Sequence, residues 1–199
     1  MVLGLVLAGG RSPLFGGEKA AARLGGLPLL AHAHRRLAAY CRIIGVNAPR
    51  ISEAGRLAIG LGAPLVRDPP NAPHIPLAGI AAGLVWAQRE DEDLLVALPC
   101  ETPFVPADIT PRLIAACEDS QAAVASTKDG IQPLCSAWRV SMLDAVFAAL
   151  SREPAPPIGE VLKEAGAAEV FFDDASAFMV IETHEDLEAA EARLAGAES

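Results

Sequence analysis

The feature that most constrains the fold is an apolar run that ends abruptly in a glycine-rich loop. Residues 2–7 read VLGLVL, AGGRS follows directly, and GGEK occupies 16–19. A short aliphatic run bounded by glycine predicts a strand covered on both faces, as in parallel sheets. The loop then lies at a strand's carboxyl end, where α/β sheets bind ligands and exposed N–H groups surround anions. With the positive charge of Lys19, the segment predicts a nucleoside triphosphate site.

Predicted strands and helices alternate along the first half of the chain. They are strands 2–7, 42–47, 64–66 and 94–98, and helices 28–40, 52–61 and 76–88. Alternation with short connections is typical of a parallel sheet with helices on both faces. Glycines within the helix at 76–88 predict that it packs closely on the sheet.

The rhythm changes after a predicted helix at 110–117. Strands at 122–126 and 132–139 are joined by the turn KDG at 128–130, which predicts an antiparallel insertion. Ser141 is a candidate N-cap for the next helix, and THED at 183–186 has the pattern of a capping box before the last helix. We therefore expect a three-layer α/β/α fold of Rossmann type, with a mostly parallel sheet, in a single domain over 1–199.

Composition excludes several classes of function. No stretch approaches the roughly 18 apolar residues of a membrane span, and the N-terminus lacks the pattern of a secretory leader, so we expect a cytoplasmic protein with no membrane partner. The net charge of −9 and the lack of a basic run argue against nucleic acid as a partner. The four cysteines form no CxxC pair, which indicates buried thiols rather than zinc ligands. The sequence is compatible with a monomer or a small homo-oligomer.

The glycine-rich loop matches neither of the two commonest nucleotide fingerprints. A Walker A loop requires Ser or Thr after its lysine, whereas Ala20 follows Lys19. The GxGxxG spacing of dinucleotide-binding folds is also missing, which argues against a dehydrogenase.

The loop instead resembles the start of nucleotidyltransferases that activate sugars and cofactors. The resemblance rests on LAGGRS at 7–12, GGEK at 16–19 and LxGxPL at 24–29, and its details are most similar to the molybdenum cofactor guanylyltransferases of the MobA type. Further matches follow in family order along most of the chain. They are VNAxR at 46–50, Asp68, PLAGI at 76–80, PCETPF at 99–104, Trp138 and EDL at 185–187.

This resemblance implies a nucleotidyltransferase fold and a transfer of GMP from GTP to molybdopterin with release of pyrophosphate. The implied nucleotide-binding residues are Leu7, Ala8, Gly9, Gly10, Lys19, Asn47 and Asp68. Glu101 is the implied ligand of Mg²⁺, a hard cation that commonly takes one or two carboxylates plus phosphates and water. Lys19, Arg11 and Glu101 are the implied catalytic residues, because this chemistry needs alignment and charge neutralisation. It requires no covalent nucleophile, so we expect Cys100 to be a packing residue.

Several positions depart from the family pattern, and all fall on the expected site. Leu14 and Phe15 replace an arginine and a methionine, so that 13–15 is expected to form a loop tip unlike the family's. Glu101 replaces an aspartate. Ile75 replaces a glycine, and Val180 and Glu182 replace two asparagines.

Two explanations of these departures stay open. The chain uses another nucleotide, such as CTP, or another phosphorylated acceptor, or it has lost catalysis and persists as a nucleotide-binding or regulatory protein. Glu182 is a further candidate, as a second metal carboxylate.

Overall fold

The computed structural model describes residues 1–9 and 14–197. The strands in this part of the chain are β1 Val2–Leu7, β2 Arg23–Leu24, β3 Leu27–Pro28, β4 Ile43–Asn47, β5 Leu65–Val66, β6 Leu94–Pro99, β7 Ala122–Thr127, β8 Gly130–Arg139 and β9 Ala168–Phe171. The helices are α1 Leu29–Ala38, α2 Glu53–Gly60, α3 Pro76–Arg89, α4 Ile109–Ala116, α5 Leu143–Leu150, α6 Ile158–Glu164 and α7 His184–Ala197. Short 3₁₀ turns occur at Lys19–Ala21, Val140–Met142 and Ala175–Phe178.

Within the described residues, seven strands form one sheet in the order β5-β4-β1-β6-β8-β7-β9. Strand β1 is parallel to both β4 and β6, and among the described strands of this sheet only the pairings of β8 with β6 and β7 are antiparallel. The prediction of a mostly parallel sheet with an antiparallel part is confirmed. Because β1 lies between β4 and β6, the glycine-rich loop leaves the sheet at the middle of its carboxyl edge.

Helices cover both faces of the sheet, as predicted. Val6 faces a cluster with residues of α1, α2 and α4, whereas Leu5 faces a cluster with residues of α3, α5 and α6. Helix α3 packs closely, because a Cβ at Gly83 would lie 2.7 Å from side-chain atoms of both Leu5 and Leu95. None of the helices within 1–9 and 14–197 is long and apolar enough to cross a membrane.

A third hydrophobic cluster contains side chains from the glycine-rich loop, the start of α1 and the C-terminal segment. Its buried members are Phe15, Leu24, Leu29, Ile181 and Ala190. It includes one element that the sequence analysis missed, the hairpin of β2 and β3. The turn of this hairpin is Gly25-Gly26, with φ of +55° and +78°, a conformation that favours glycine and suits a two-residue hairpin. We refer to this group as the third cluster.

The two predicted helix caps have different outcomes. The capping box is confirmed: Asp186 N donates to Thr183 Oγ1 at 3.1 Å, and Thr183 N donates to Asp186 Oδ2 at 2.8 Å. The prediction that Ser141 caps a helix is wrong. Helix α5 begins at Leu143, after a 3₁₀ turn, and the Ser141 hydroxyl donates to Gln121 Oε1 instead. The Ser141 hydroxyl therefore binds a polar partner on another loop instead of capping the helix.

Candidate active site

The parallel strands bring most of the expected nucleotide-binding residues to one edge of the sheet. Ala8 N donates to Asn47 O at 3.0 Å, and Cys100 N donates to Leu7 O at 3.1 Å. The backbone of Leu7 and Ala8 therefore lies between the end of β4 and the end of β6. Gly9 follows, and a Cβ there would lie 3.6 Å from Asn47 Oδ1. Gly10 and Arg11 lie outside the described residues.

Asn47 and Asp68 contact each other directly. Asn47 Nδ2 donates to Asp68 Oδ1 at 2.7 Å and to Val66 O at 3.1 Å. The Asn47 side chain is also packed against α3, because a Cβ at Gly79 would lie only 2.5 Å from Asn47 Oδ1. The amide is thus fixed in orientation, which leaves the exposed Asp68 held at the rim of the site.

The charged centre of the site is an ion pair between Lys19 and Glu101. Lys19 Nζ lies 3.1 Å from Glu101 Oε2, and the two side chains are 11% and 22% exposed. A largely buried ammonium is costly unless an anion compensates it. Glu101 supplies that anion from the end of β6. The structure therefore joins two residues that the sequence places on different loops.

Glu18 helps to fix Lys19, and sequence reasoning missed it. Its carboxylate accepts a hydrogen bond from Ala54 N at 3.0 Å, in the first turn of α2, where carboxylates are favoured by the helix dipole. Ser52 caps the same helix by accepting from Gly55 N at 2.9 Å. Glu18 thus anchors the loop to α2 immediately before Lys19. No local sequence pattern signals this contact, because Glu18 and Ala54 are 36 positions apart.

The C-terminal segment borders the charged centre. Ile181 N donates to Glu101 O at 2.9 Å, and the Phe15 and His184 rings stack with centroids 4.3 Å apart. The pKa of Asp186 is lowered by its hydrogen bonds with the Thr183 hydroxyl and with backbone N–H groups, and by the nearby charge of Lys19. The expectation that 13–15 forms a tip is wrong for Phe15, which is buried, whereas Leu14 is exposed. Phe15 is apolar enough to pack in the third cluster; Pro13 lies outside the described residues.

Two buried thiols lie close to Glu101, but neither is suited to act as a nucleophile. Burial raises the pKa of Cys100 to about 12 and that of Cys135 to about 12, so both stay protonated at neutral pH. This agrees with the expectation that Cys100 is a packing residue. Neither thiol is therefore suited to form a covalent intermediate at this edge.

A cleft of 380 Å³ opens at the same edge of the sheet. It is lined by the start of α3, the first half of β8 and the proline-rich start of α6, including Pro76, Leu134 and Pro157. The first half of β8 lies at the carboxyl end of β6, because the two strands are antiparallel. The cleft therefore lies at the carboxyl edge of the sheet, as Glu101 does.

No group of three or more His, Cys, Asp or Glu side chains that could hold a metal occurs within the described part of the chain. A divalent cation at this edge would therefore rely on Glu101 together with oxygens from a bound substrate. Mg²⁺ commonly binds in that way, so the donor set fits it.

Comparison with known proteins finds a family match over most of the chain. Residues 4–168 match the MobA-like NTP transferase domain. A molybdenum cofactor guanylyltransferase from Cereibacter sphaeroides is 38% identical over 97% of both chains, and one from Cupriavidus pinatubonensis is 36% identical over 96% of both.

Solved structures agree on the fold. A molybdopterin-guanine dinucleotide biosynthesis protein A from Archaeoglobus fulgidus has a TM-score of 0.77 at 21% identity, covering 98% of this chain and 100% of that one. A nucleotidyl transferase from Methanothermobacter has a TM-score of 0.78 at 17% identity, covering 99% of each chain. With a family match over most of its length and relatives of this identity, the chain belongs to the MobA-like NTP transferase family.

Proposed function

We propose that this protein transfers GMP from GTP to molybdopterin and releases pyrophosphate, with Mg²⁺ bound at Glu101. The observation that carries the proposal is the Lys19–Glu101 pair at the end of the glycine-rich loop. It joins a phosphate-binding cation to a metal-binding carboxylate at the edge where α/β sheets bind ligands. Curated relatives matched over nearly the full chain are named molybdenum cofactor guanylyltransferase.

The nucleoside end of GTP is assigned to the ends of β1 and β4, beside Asn47 and Asp68. The implied nucleotide-binding stretch of Leu7, Ala8, Gly9 and Gly10 begins at this point, and a Cβ at Gly9 would lie 3.6 Å from Asn47 Oδ1. The Asn47–Asp68 hydrogen bond of 2.7 Å supports this assignment, because it fixes both side chains before a ligand arrives. Preorganised polar groups bind a ligand at lower entropic cost.

The transfer itself needs charge neutralisation and alignment. A phosphate oxygen of the acceptor attacks the α-phosphorus of GTP, and a new P–O bond forms. The bond from the α-phosphorus to the oxygen bridging to the β-phosphate breaks, so pyrophosphate leaves with that electron pair. Lys19 and Arg11 neutralise the phosphate oxygens. Glu101 would hold the metal ion, which would add positive charge at the reacting phosphate and the leaving group.

The acceptor is assigned to the cleft beside β8. Its volume of 380 Å³ falls within the range of about 300–1,000 Å³ that is common for small-molecule sites. Its place at the carboxyl edge of the sheet, where Glu101 also lies, supports the assignment, because the two substrates must meet at the reacting phosphorus.

Two measurements test the proposal. A thermal-shift screen of the four ribonucleoside triphosphates, each with and without Mg²⁺, should show the largest shift for GTP with Mg²⁺, because ligand at many times its Kd adds a few kcal/mol of stability. Pyrophosphate release should then require both GTP and reduced molybdopterin. A larger shift and turnover with CTP would assign the cytidylyl reaction instead. Binding without turnover would favour a protein that has lost catalysis.

A further inference from the structure

Two aromatic side chains from opposite ends of the chain meet beside the charged centre. The ring centroids of Phe15 and His184 lie 4.3 Å apart with an interplanar angle of 28°, the geometry of a stacked pair. Phe15 is only 7% exposed and belongs to the third cluster, whereas His184 is exposed at the start of α7. The stack therefore joins the glycine-rich loop to the C-terminal helix.

Each partner in the stack lies on a segment that carries a part of the site. Phe15 stands on the same loop as Lys19, shortly before it. His184 belongs to the segment in which Ile181 N donates to Glu101 O at 2.9 Å. The stack thus connects the segment that carries Lys19 to the segment that is hydrogen-bonded to the backbone of Glu101, and Lys19 and Glu101 form the ion pair of 3.1 Å.

The cap of α7 does not explain His184. Thr183 and Asp186 cap the helix reciprocally, and the buried apolar contacts of α7 come from Ala190 together with partly buried Leu187 and Leu194. An exposed imidazole is therefore not needed to begin the helix. What its ring adds is a contact surface over Phe15.

We propose that Phe15 and His184 are positioning residues, which hold the loop bearing Lys19 in its nucleotide-binding conformation. This inference rests on the proposed function. Without the stack, residues 14–18 sample more conformations, and nucleotide binding must offset the cost of ordering them. An aromatic pair changes an equilibrium constant about two- to tenfold. Loss of the stack should therefore raise the Kd and KM for nucleotide by about that factor.

The test compares His184→Ala and Phe15→Ala with their double variant, with His184→Tyr as the conservative replacement. Glu188→Ala, an exposed change on the same helix, is the matched control. We expect His184→Ala to raise the Kd and KM for nucleotide roughly two- to tenfold. Its kcat and thermal midpoint should stay near wild type, and His184→Tyr should restore the affinity. In the double variant, the loss of affinity should be less than the sum of the single losses, because the two residues share one contact.

Amide hydrogen exchange in the nucleotide-free protein gives an independent measurement. His184→Ala should speed exchange at residues 14–18, whereas Glu188→Ala should not. Unchanged exchange, or an affinity loss without rescue by His184→Tyr, would overturn the positioning role. If the wild-type protein binds none of the nucleotides, the proposed function fails, and the exchange comparison still decides whether the stack holds the loop.

Discussion

The parallel strands of the central sheet carry ion pairs at both of their ends, the amino edge and the carboxyl edge, and the two sets of pairs are built differently. At the amino edge, the Glu92 side chain is 4% exposed and uses both carboxylate oxygens. Oε2 lies 3.0 Å from the Met1 ammonium, and Oε1 accepts from Arg42 Nε at 2.6 Å. At the carboxyl edge, Lys19 meets Glu101 through one oxygen at 3.1 Å.

The Glu92 contacts stabilise the fold, whereas the Lys19–Glu101 pair can exchange its partners for a bound ligand. Glu92 is bound by two cations that tie the starts of β1 and β4 to the turn before β6. Lys19 and Glu101 neutralise each other one to one, and under the proposed function each would bind a part of a magnesium–triphosphate complex. We expect the amino edge to control stability and the carboxyl edge to control activity.

The largest expected effect is on turnover, in Lys19→Ala and Glu101→Ala. Removing a group that stabilises charge in the transition state commonly costs about 10²–10³-fold in kcat. The rate of pyrophosphate release measures the loss, with Lys163→Ala and Glu160→Ala as exposed controls on α6. Each variant also leaves the partner charge unpaired, so the urea midpoint should fall as well, and turnover is compared under conditions where the variant is folded. Turnover near wild type in both variants would remove the pair from the mechanism.

The converse effect is expected in Glu92→Gln, which should lower the thermal midpoint by several degrees and leave KM and kcat unchanged. The Met1 ammonium and Arg42 lower the pKa of Glu92 below its ordinary value of 4.5. A lowered pKa in the folded state adds stability above pH 4.5, and that stability is lost as pH falls below it. The gap between wild type and Glu92→Gln should therefore be constant near pH 7 and close in acid. A gap that widens in acid would contradict this account.

The sequence predicted the parts of the carboxyl edge that depend on local pattern. Apolar runs located β1, β4 and β6, and their parallel arrangement brings Leu7, Asn47 and Pro99 level, which the register confirms. The nearness of Lys19 to Glu101 followed only from the family resemblance, because no local pattern relates a loop lysine to a residue after β6.

Two of the three failures involve partners that are distant in sequence. Phe15 looked like a loop tip because its stacking partner, His184, lies at the other end of the chain. Ser141 looked like a cap, but Gln121 on a separate loop competes for its hydroxyl. Hairpin β2–β3 has two residues in each strand, too few for a period-two pattern, although its Gly-Gly turn was a usable signal.

A smaller effect is expected from Glu101→Asp, which shortens the carboxylate by one methylene. The aspartate would reach less far toward Lys19, so a metal ion would compete with a weaker ion pair. We expect Mn²⁺, used as a paramagnetic probe for Mg²⁺, to bind the nucleotide-free variant several-fold more tightly than wild type. Electron paramagnetic resonance titration measures this affinity, and Glu160→Asp is the matched control. Weaker Mn²⁺ binding would mean that the longer side chain of Glu101 is needed to reach the ion.

The smallest expected effect concerns the start of α7, and it separates a contact that stabilises the fold from one proposed to position the loop. Thr183 caps α7, and losing an N-cap side chain costs about 0.5–2 kcal/mol. Thr183→Ala should lower the free energy of unfolding in urea by that amount and change nucleotide KM less than His184→Ala does. Thr183→Ser, which keeps the hydroxyl, should remain close to wild type. If the serine variant is as unstable as the alanine variant, packing of the methyl group rather than the cap holds this end of the helix.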